Sequence, residues 1–212
     1  MPADRAIRGL YIITDNGHAT TAQLVERVTQ AIIGGGALVQ YRGKSAPPKR
    51  RLQEAAALQE LCQRQGVPLI INDDIELARS VTADGVHLGR NDAAPAVARR
   101  RLGEQALIGV SCYNRLDNAI RAEQAGADYV AFGSFFPSAT KPDAVTAPVS
   151  LLRQARQRLS IPIVAIGGIT AANGATLIGA GAAALAVISG VFAAADIRSA
   201  AGHYAQLFTQ TN

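Results

Sequence analysis

Tryptophan is absent from the 212 residues, and the chain holds only five tyrosines, five phenylalanines and one methionine. With no run of Lys and Arg interleaved with aromatics, it offers no stacking platform for single-stranded nucleic acid. Cysteine is as scarce. Cys62 and Cys112 have no CxxC spacing, so they make no disulfide framework and read as buried or idle thiols of a reducing compartment. The three histidines, His18, His87 and His203, lack paired metal spacing, and His87, at the end of a strand, reads as a hydrogen-bonded packing residue. No apolar segment follows a basic one near Met1 to Arg8, so no signal peptide is expected. The uncharged stretch from Gly174 to Ala195 approaches the length of a bilayer span. Gly179, Gly181 and Gly190 interrupt it, however, and a packed helix followed by a buried strand is the more economical reading. A cytoplasmic protein that does not enter a membrane is expected.

What is present is a large apolar fraction, 49% against 17% charged, which excludes a disordered chain and fits an interior covered on several sides. The length predicts one domain spanning residues 1–212. Short β-branched runs alternate with longer segments of helical character. Strands are expected near Leu10 to Thr14, Ala37 to Tyr41, Pro68 to Asn72, Gly85 to Leu88, Leu107 to Ser111, Tyr129 to Phe132, Ile163 to Ile166 and Ala184 to Ile188. Helices are expected over Thr21 to Gly34, Lys49 to Gln65, Arg115 to Ala125 and Thr170 to Ala180, several of them ending on or just before a glycine suited to a C-cap. Strands without polar alternation imply burial on both faces, as in an all-parallel sheet. Eight of them in this length predict a compact α/β fold, a (β/α)₈ TIM barrel, with an open doubly wound sheet as the alternative. One connection, Gly133 to Pro148, is longer than a usual strand-to-helix loop, a length often tied to function.

Two familiar phosphate fingerprints are chance matches. Gly43-Lys44-Ser45 lacks the earlier glycine of a P-loop, whose place is taken by Leu38, and Gly179-Ala180-Gly181 follows a helix instead of a strand. The informative pattern is the placing of polar residues at strand ends, which in a parallel barrel converge on one rim. Gln40, Arg42 and Lys44 follow or end the second strand, Asn72 and Asp73 the third, Asp92 the fourth, Ser111 the fifth, and Thr140 and Lys141 the sixth. Asp73 and Asp92 could supply carboxylate oxygens to a hard divalent cation, for which Mg²⁺ is expected, although Asp92, ahead of Ala93-Ala94-Pro95, also suits a helix cap. Arg42, Lys44 and Lys141 place positive charge around the same point, which suits a diphosphate and the charge that develops as it leaves. Gly167-Gly168-Ile169-Thr170 after the seventh strand and Ile188-Ser189-Gly190 after the eighth offer backbone N–H groups to a second phosphate. The surplus of 21 basic over 16 acidic residues, +5, agrees with small anionic ligands. Two anion sites across one mouth suggest the joining of two phosphorylated molecules.

In this order, Leu10-Tyr11-Ile12-Ile13-Thr14-Asp15, Gln40-Tyr41-Arg42-Gly43-Lys44, Ile70-Ile71-Asn72-Asp73, Asp84-Gly85-Val86-His87-Leu88-Gly89, Gly109-Val110-Ser111, Thr140-Lys141-Pro142, Ile166-Gly167-Gly168-Ile169 and Val187-Ile188-Ser189 resemble the thiamine phosphate synthase family, from about Leu10 to Ala193. The resemblance implies a transferase of thiamine biosynthesis that joins an aminopyrimidine diphosphate to a thiazole phosphate by ionisation of the diphosphate. It implies that Gln40, Arg42, Lys44, Asn72, Ser111 and Lys141 hold the pyrimidine diphosphate, with Arg42, Lys44, Lys141 and Ser111 nearest the chemistry. Asp73 and Asp92 match carboxylates for Mg²⁺, and Ser138, Thr140, Gly168, Ile188 and Ser189 match the thiazole phosphate site, with the Gly133 to Pro148 loop excluding water. The expected partners are small phosphorylated substrates, not nucleic acid or a membrane, and a homodimer is compatible with the pattern. Gly43 departs from the acid usual at its place, Ser138 from threonine, and Arg90 from the frequent glutamine. The competing readings are a thiazole tautomerase of the same superfamily, whose histidine would fall at Tyr113, a non-catalytic phosphate-binding barrel, and a metal-dependent epimerase, which would want paired strand-end histidines.

Overall fold

Eight short aliphatic runs become eight parallel strands: β1 (Gly9–Ile13), β2 (Gly36–Tyr41), β3 (Leu69–Asn72), β4 (Gly85–Leu88), β5 (Leu107–Tyr113), β6 (Tyr129–Phe132), β7 (Ile163–Ile166) and β8 (Ala184–Val187). A computed structural model describes residues 7–15, 19–137 and 145–209. The strands pair in chain order and close, β1 bonding both β2 and β8, so no sheet edge remains. The alternating helices are α1 (Thr21–Ile33), α2 (Pro48–Gln65), α3 (Ile75–Ser80), α4 (Pro95–Leu102), α5 (Leu116–Gln124), α6 (Ser150–Arg158), α7 (Ala171–Gly179), α8 (Ser189–Phe192) and α9 (Ile197–Gln206). This is the predicted barrel, and the open sheet is excluded by the β1 to β8 pairing.

Strand limits agree with the expected ones to within two residues. β5 runs on to Tyr113, where a register shift against β6 accompanies a positive φ of 57°. The uncharged stretch from Gly174 divides among α7, β8 and α8. Among the described residues no helix is long and apolar enough to cross a membrane.

Period-two alternation sorts the side chains into two cores. Leu10 and Ile12 on β1 face outward into the layer shared with the helices, while Tyr11 and Ile13 face the barrel interior with Leu38, Ile70, Leu107, Tyr129, Ala131 and Val164. The same parity sends Tyr41 out towards Glu54 of α2, where its hydroxyl donates at 2.8 Å, and leaves Gln40 buried inside the barrel. Gly85 shows why close pairing needs a glycine there: a Cβ would stand 1.9 Å from the Leu107 carbonyl oxygen on β5.

Candidate active site at the carboxyl end of the barrel

The turn after β2 carries two of the expected groups, Arg42 and Lys44. Arg42 N–H donates to the Thr14 hydroxyl at 2.9 Å, which ties this turn to the end of β1. Gly43, the residue that departs from the resemblance, has a physical reason to lack a side chain, because a Cβ would lie 2.2 Å from the Tyr41 hydroxyl oxygen. That hydroxyl is held by the buried Glu54, which also accepts from Arg50 Nε at 2.6 Å. Lys44, more than half exposed, extends from this turn to place Nζ 3.2 Å from Asp73 Oδ2.

Asp73 follows β3 with a left-handed φ of 65°, uncommon outside glycine. Its N–H donates to the His87 carbonyl at 2.9 Å, so the strained backbone is held from β4. Neither carboxylate of the pair is a helix cap. The cap of α3 is Asp74, which accepts from Leu77 N–H, and the residue before α4 is Ala94, which makes no side-chain cap. Asp92 instead accepts from Gly89 N–H at 2.6 Å. Burial raises the Asp92 pKa, and the adjoining Asp73 carboxyl, by hydrogen bond and by charge, raises it further; the Gly89 N–H and the Lys44 ammonium oppose both. Two carboxylates against one ammonium leave the point short of positive charge. Their oxygens are hard donors, and among the described residues no group of three or more His, Cys, Asp and Glu assembles. The pair therefore fits a cation that draws its remaining oxygens from water and a phosphorylated ligand, as Mg²⁺ does. A cleft of about 590 Å³ beside it is lined by Gly43, Lys44, Asn72, Asp73, Arg51 and Arg101 among others.

At the other side of the rim, Gly168 has a φ of 62°, and a Cβ there would meet the Pro137 and Phe136 carbonyl oxygens at 2.3 and 2.6 Å. Phe135 and Phe136 N–H groups donate to the Ile166 and Gly167 carbonyls, lacing the loop after β6 to the loop after β7. Asn173 completes a capping box with Thr170 and also donates to the Gly168 carbonyl at 3.1 Å, which steadies the glycine loop at the start of α7. Ile188 and Ser189 stand at the junction of β8 and α8. The neck of the long loop is closed by Ser134 N–H to the Val145 carbonyl and Ala147 N–H to the Ser134 carbonyl. Ser138, Thr140 and Lys141 lie outside the described residues.

Sequence reasoning treated His87 as packing, and it does pack, but between two polar partners. Nδ1 lies 3.1 Å from the Tyr129 hydroxyl and Nε2 2.9 Å from Ser111 Oγ. Tyr129 contacts the Tyr11 hydroxyl at 2.8 Å, which receives Gln40 Nε2 at 2.7 Å. Burial depresses the His87 pKa to about 4, against a smaller opposing pull from Asp92, so the ring is neutral at pH 7. Tyr11 and Tyr129 were missed; the signal was strand parity, which turns both inward, where a buried phenol must find a partner. Arg90, also unassigned, stacks its guanidinium 4.6 Å from the centre of the Tyr113 ring.

Comparison with known proteins gives the family. The sequence profile of the thiamine monophosphate synthase family matches residues 10–191. The chain is 57% identical over 202 residues to the thiamine-phosphate synthase of Azoarcus sp. (strain BH72), covering 95% of this chain and 98% of that protein. It is 53% identical over 207 residues to the thiamine-phosphate synthase of Nitrosococcus oceani, covering 98% and 95%. Among solved structures, thiamine phosphate pyrophosphorylase from Pyrococcus furiosus superposes with a TM-score of 0.87 at 33% identity, covering 97% of this chain and 98% of that one. Sequence and fold agree over nearly the whole length, and the chain belongs to the thiamine monophosphate synthase family.

Proposed function

We propose that this transferase of thiamine biosynthesis joins an aminopyrimidine diphosphate to a thiazole phosphate at the carboxyl-terminal mouth of the barrel, releasing diphosphate and thiamine phosphate. The observation that carries the assignment of the site is the meeting of Asp73, Asp92 and Lys44, brought from the ends of three strands to one point. Asp73 and Asp92 would hold Mg²⁺, which when bound supplies charge neutralisation to the departing diphosphate. Arg42, Lys44 and Lys141 supply fixed positive charge to the same oxygens.

Gln40, Asn72 and Ser111 hold the pyrimidine. The bond between its methylene carbon and the diphosphate oxygen breaks, the electron pair leaves with the oxygen, and the ring amino group spreads the positive charge. The thiazole nitrogen then donates its lone pair to the methylene carbon. Ser138, Thr140, Gly168, Ile188 and Ser189 hold the thiazole phosphate so that this nitrogen faces the carbon, a gain in orientation more than in covalent chemistry. The long loop after β6 keeps water from competing for the cation. A cytoplasmic setting agrees with Cys62 and Cys112, both buried free thiols pushed up to about 12 by burial.

The tautomerase reading is not favoured. Tyr113 occupies the place of its histidine, with Arg90 stacked over the ring. The test is to mix the purified chain with both phosphorylated precursors and Mg²⁺. Thiamine phosphate and diphosphate are the expected products, whereas an isomerised thiazole alone would overturn the assignment.

A further inference from the structure

Five polar groups cross the barrel interior in one unbroken line, and four of their five residues are almost wholly buried: Gln40, Tyr11, Tyr129 and His87 are 3, 1, 0 and 8% exposed. They come from β2, β1, β6, β4 and, with Ser111, β5. The donor count gives the line a direction. Gln40 Nε2 donates, so the Tyr11 oxygen accepts, and the buried Tyr11 proton stays bonded only by pointing to the Tyr129 oxygen 2.8 Å away. Tyr129 then accepts from Tyr11 and donates to His87 Nδ1, which leaves the neutral ring protonated at Nε2 and donating to Ser111 Oγ. Ser111, already an acceptor, has its own proton left for the mouth. At the far end, the Gln40 amide nitrogen is turned to Tyr11, so its carbonyl oxygen is the acceptor it can offer a ligand, beside one remaining N–H. Gly109 keeps the middle of the line clear, since a Cβ there would stand 2.4 Å from the Tyr129 hydroxyl oxygen and 2.5 Å from His87 Nδ1.

We propose that Tyr11, Tyr129 and His87 are positioning residues, a one-way hydrogen-bond line that presents Gln40 as an acceptor to the exocyclic amino group and Ser111 as a donor to a ring nitrogen of the aminopyrimidine. This deepens the assignment of the mouth given above and rests on it. Each middle member both donates and accepts, so the line couples its two ends: with the Gln40 nitrogen turned to Tyr11 and its carbonyl to the mouth, Ser111 is left as a donor. A ring with its amino group and nitrogen exchanged, or a ring bearing a carbonyl in place of the amino group, meets like against like at both ends.

Two measurements on the full chain test this. ¹⁵N spectra of the histidine-labelled protein should show His87 as the Nε2–H tautomer at neutral pH, and Tyr129→Phe should release it to a mixture of tautomers. In the coupling assay, Tyr129→Phe should lower kcat/KM for the pyrimidine diphosphate about tenfold and leave KM for the thiazole phosphate within about twofold, which also reports an intact fold. His87→Gln, whose Nε2 can replace the ring donor, should retain more activity than His87→Leu. An Nδ1–H tautomer in the unaltered protein, or a Tyr129→Phe variant with an unchanged pyrimidine kcat/KM, would overturn the proposal. If Ser111→Ala nevertheless raises the pyrimidine KM, only the line falls; if Ser111→Ala is also silent, the assignment of the mouth falls with it.

Discussion

Asp73 bears both a left-handed backbone and a like-charged neighbour, each unfavourable to folding and each suited to a cation. Asp73→Asn keeps the shape, since asparagine tolerates the same φ, and removes the repulsion from Asp92. The expected outcome is a melting temperature unchanged or raised, by up to about 1 kcal/mol of stability, with turnover lost at least about a hundredfold; thermal unfolding and diphosphate release measure the two. His87 gives a second prediction of opposite kind. Burial takes its pKa from 6.5 to about 4 in the folded chain. Between those values the unfolded chain binds a proton that the folded chain refuses, so stability is full above pH 6.5 and is lost as pH falls towards 4, by about 3 kcal/mol. Urea unfolding across that window should show a shallower loss in His87→Gln than in the unaltered protein, the difference being the histidine's share.

The turn between β2 and α2 is held from beneath by Tyr41, Glu54 and Arg50, which lie outside the barrel. Gly43→Ala drives a methyl into the Tyr41 hydroxyl and should cost about 1 to 3 kcal/mol, with a raised KM for the diphosphate because Arg42 and Lys44 ride on the same turn. Tyr41→Phe removes the nearer clashing atom and leaves the ring Cζ at 2.6 Å, so the alanine should cost less, though not nothing, in that background, a coupling that a double-mutant cycle measures. α7 supplies a control at the other side of the rim. Thr170→Ala removes the N-cap of the capping box and should cost about 1 kcal/mol, loosening the Gly168 loop and raising KM for the thiazole phosphate ahead of the pyrimidine. At this scale the sequence was most legible where pattern is local: short apolar, β-branched runs placed β4, β6 and β7 at their observed limits. It was least legible at the end of β5, where the strand continues through the register shift to Tyr113 because β6 still offers a partner, a fact of the neighbouring strand that no local pattern carries.

Closure makes the molecule work as a unit, since β1 completes the sheet against β8 and brings the first strand's Tyr11 to a tyrosine 118 residues away. Cation binding should be felt at the same scale. Mg²⁺ with inorganic diphosphate is expected to raise the melting temperature of the unaltered chain by several degrees and to leave Asp73→Asn unmoved, while a chelator stops coupling and added Mg²⁺ restores it. The eight strand-and-helix units, and the strand ends that carry Gln40, Asn72, Asp73, Asp92 and Ser111, were already legible in the sequence alone, because apolar runs and the helical segments between them are patterns of neighbouring residues, whereas closure of the sheet was decided by the pairing of β1 with β8. What the tertiary structure decided was contact. Whether Asp92 caps a helix or meets Asp73, why Gly43 replaces an acid, and whether His87 packs idly or joins two tyrosines to a serine all depend on which inward side chains closure brings within hydrogen-bond distance. Such distances are set by strand stagger around the whole ring, a property of all eight strands together that no single segment encodes.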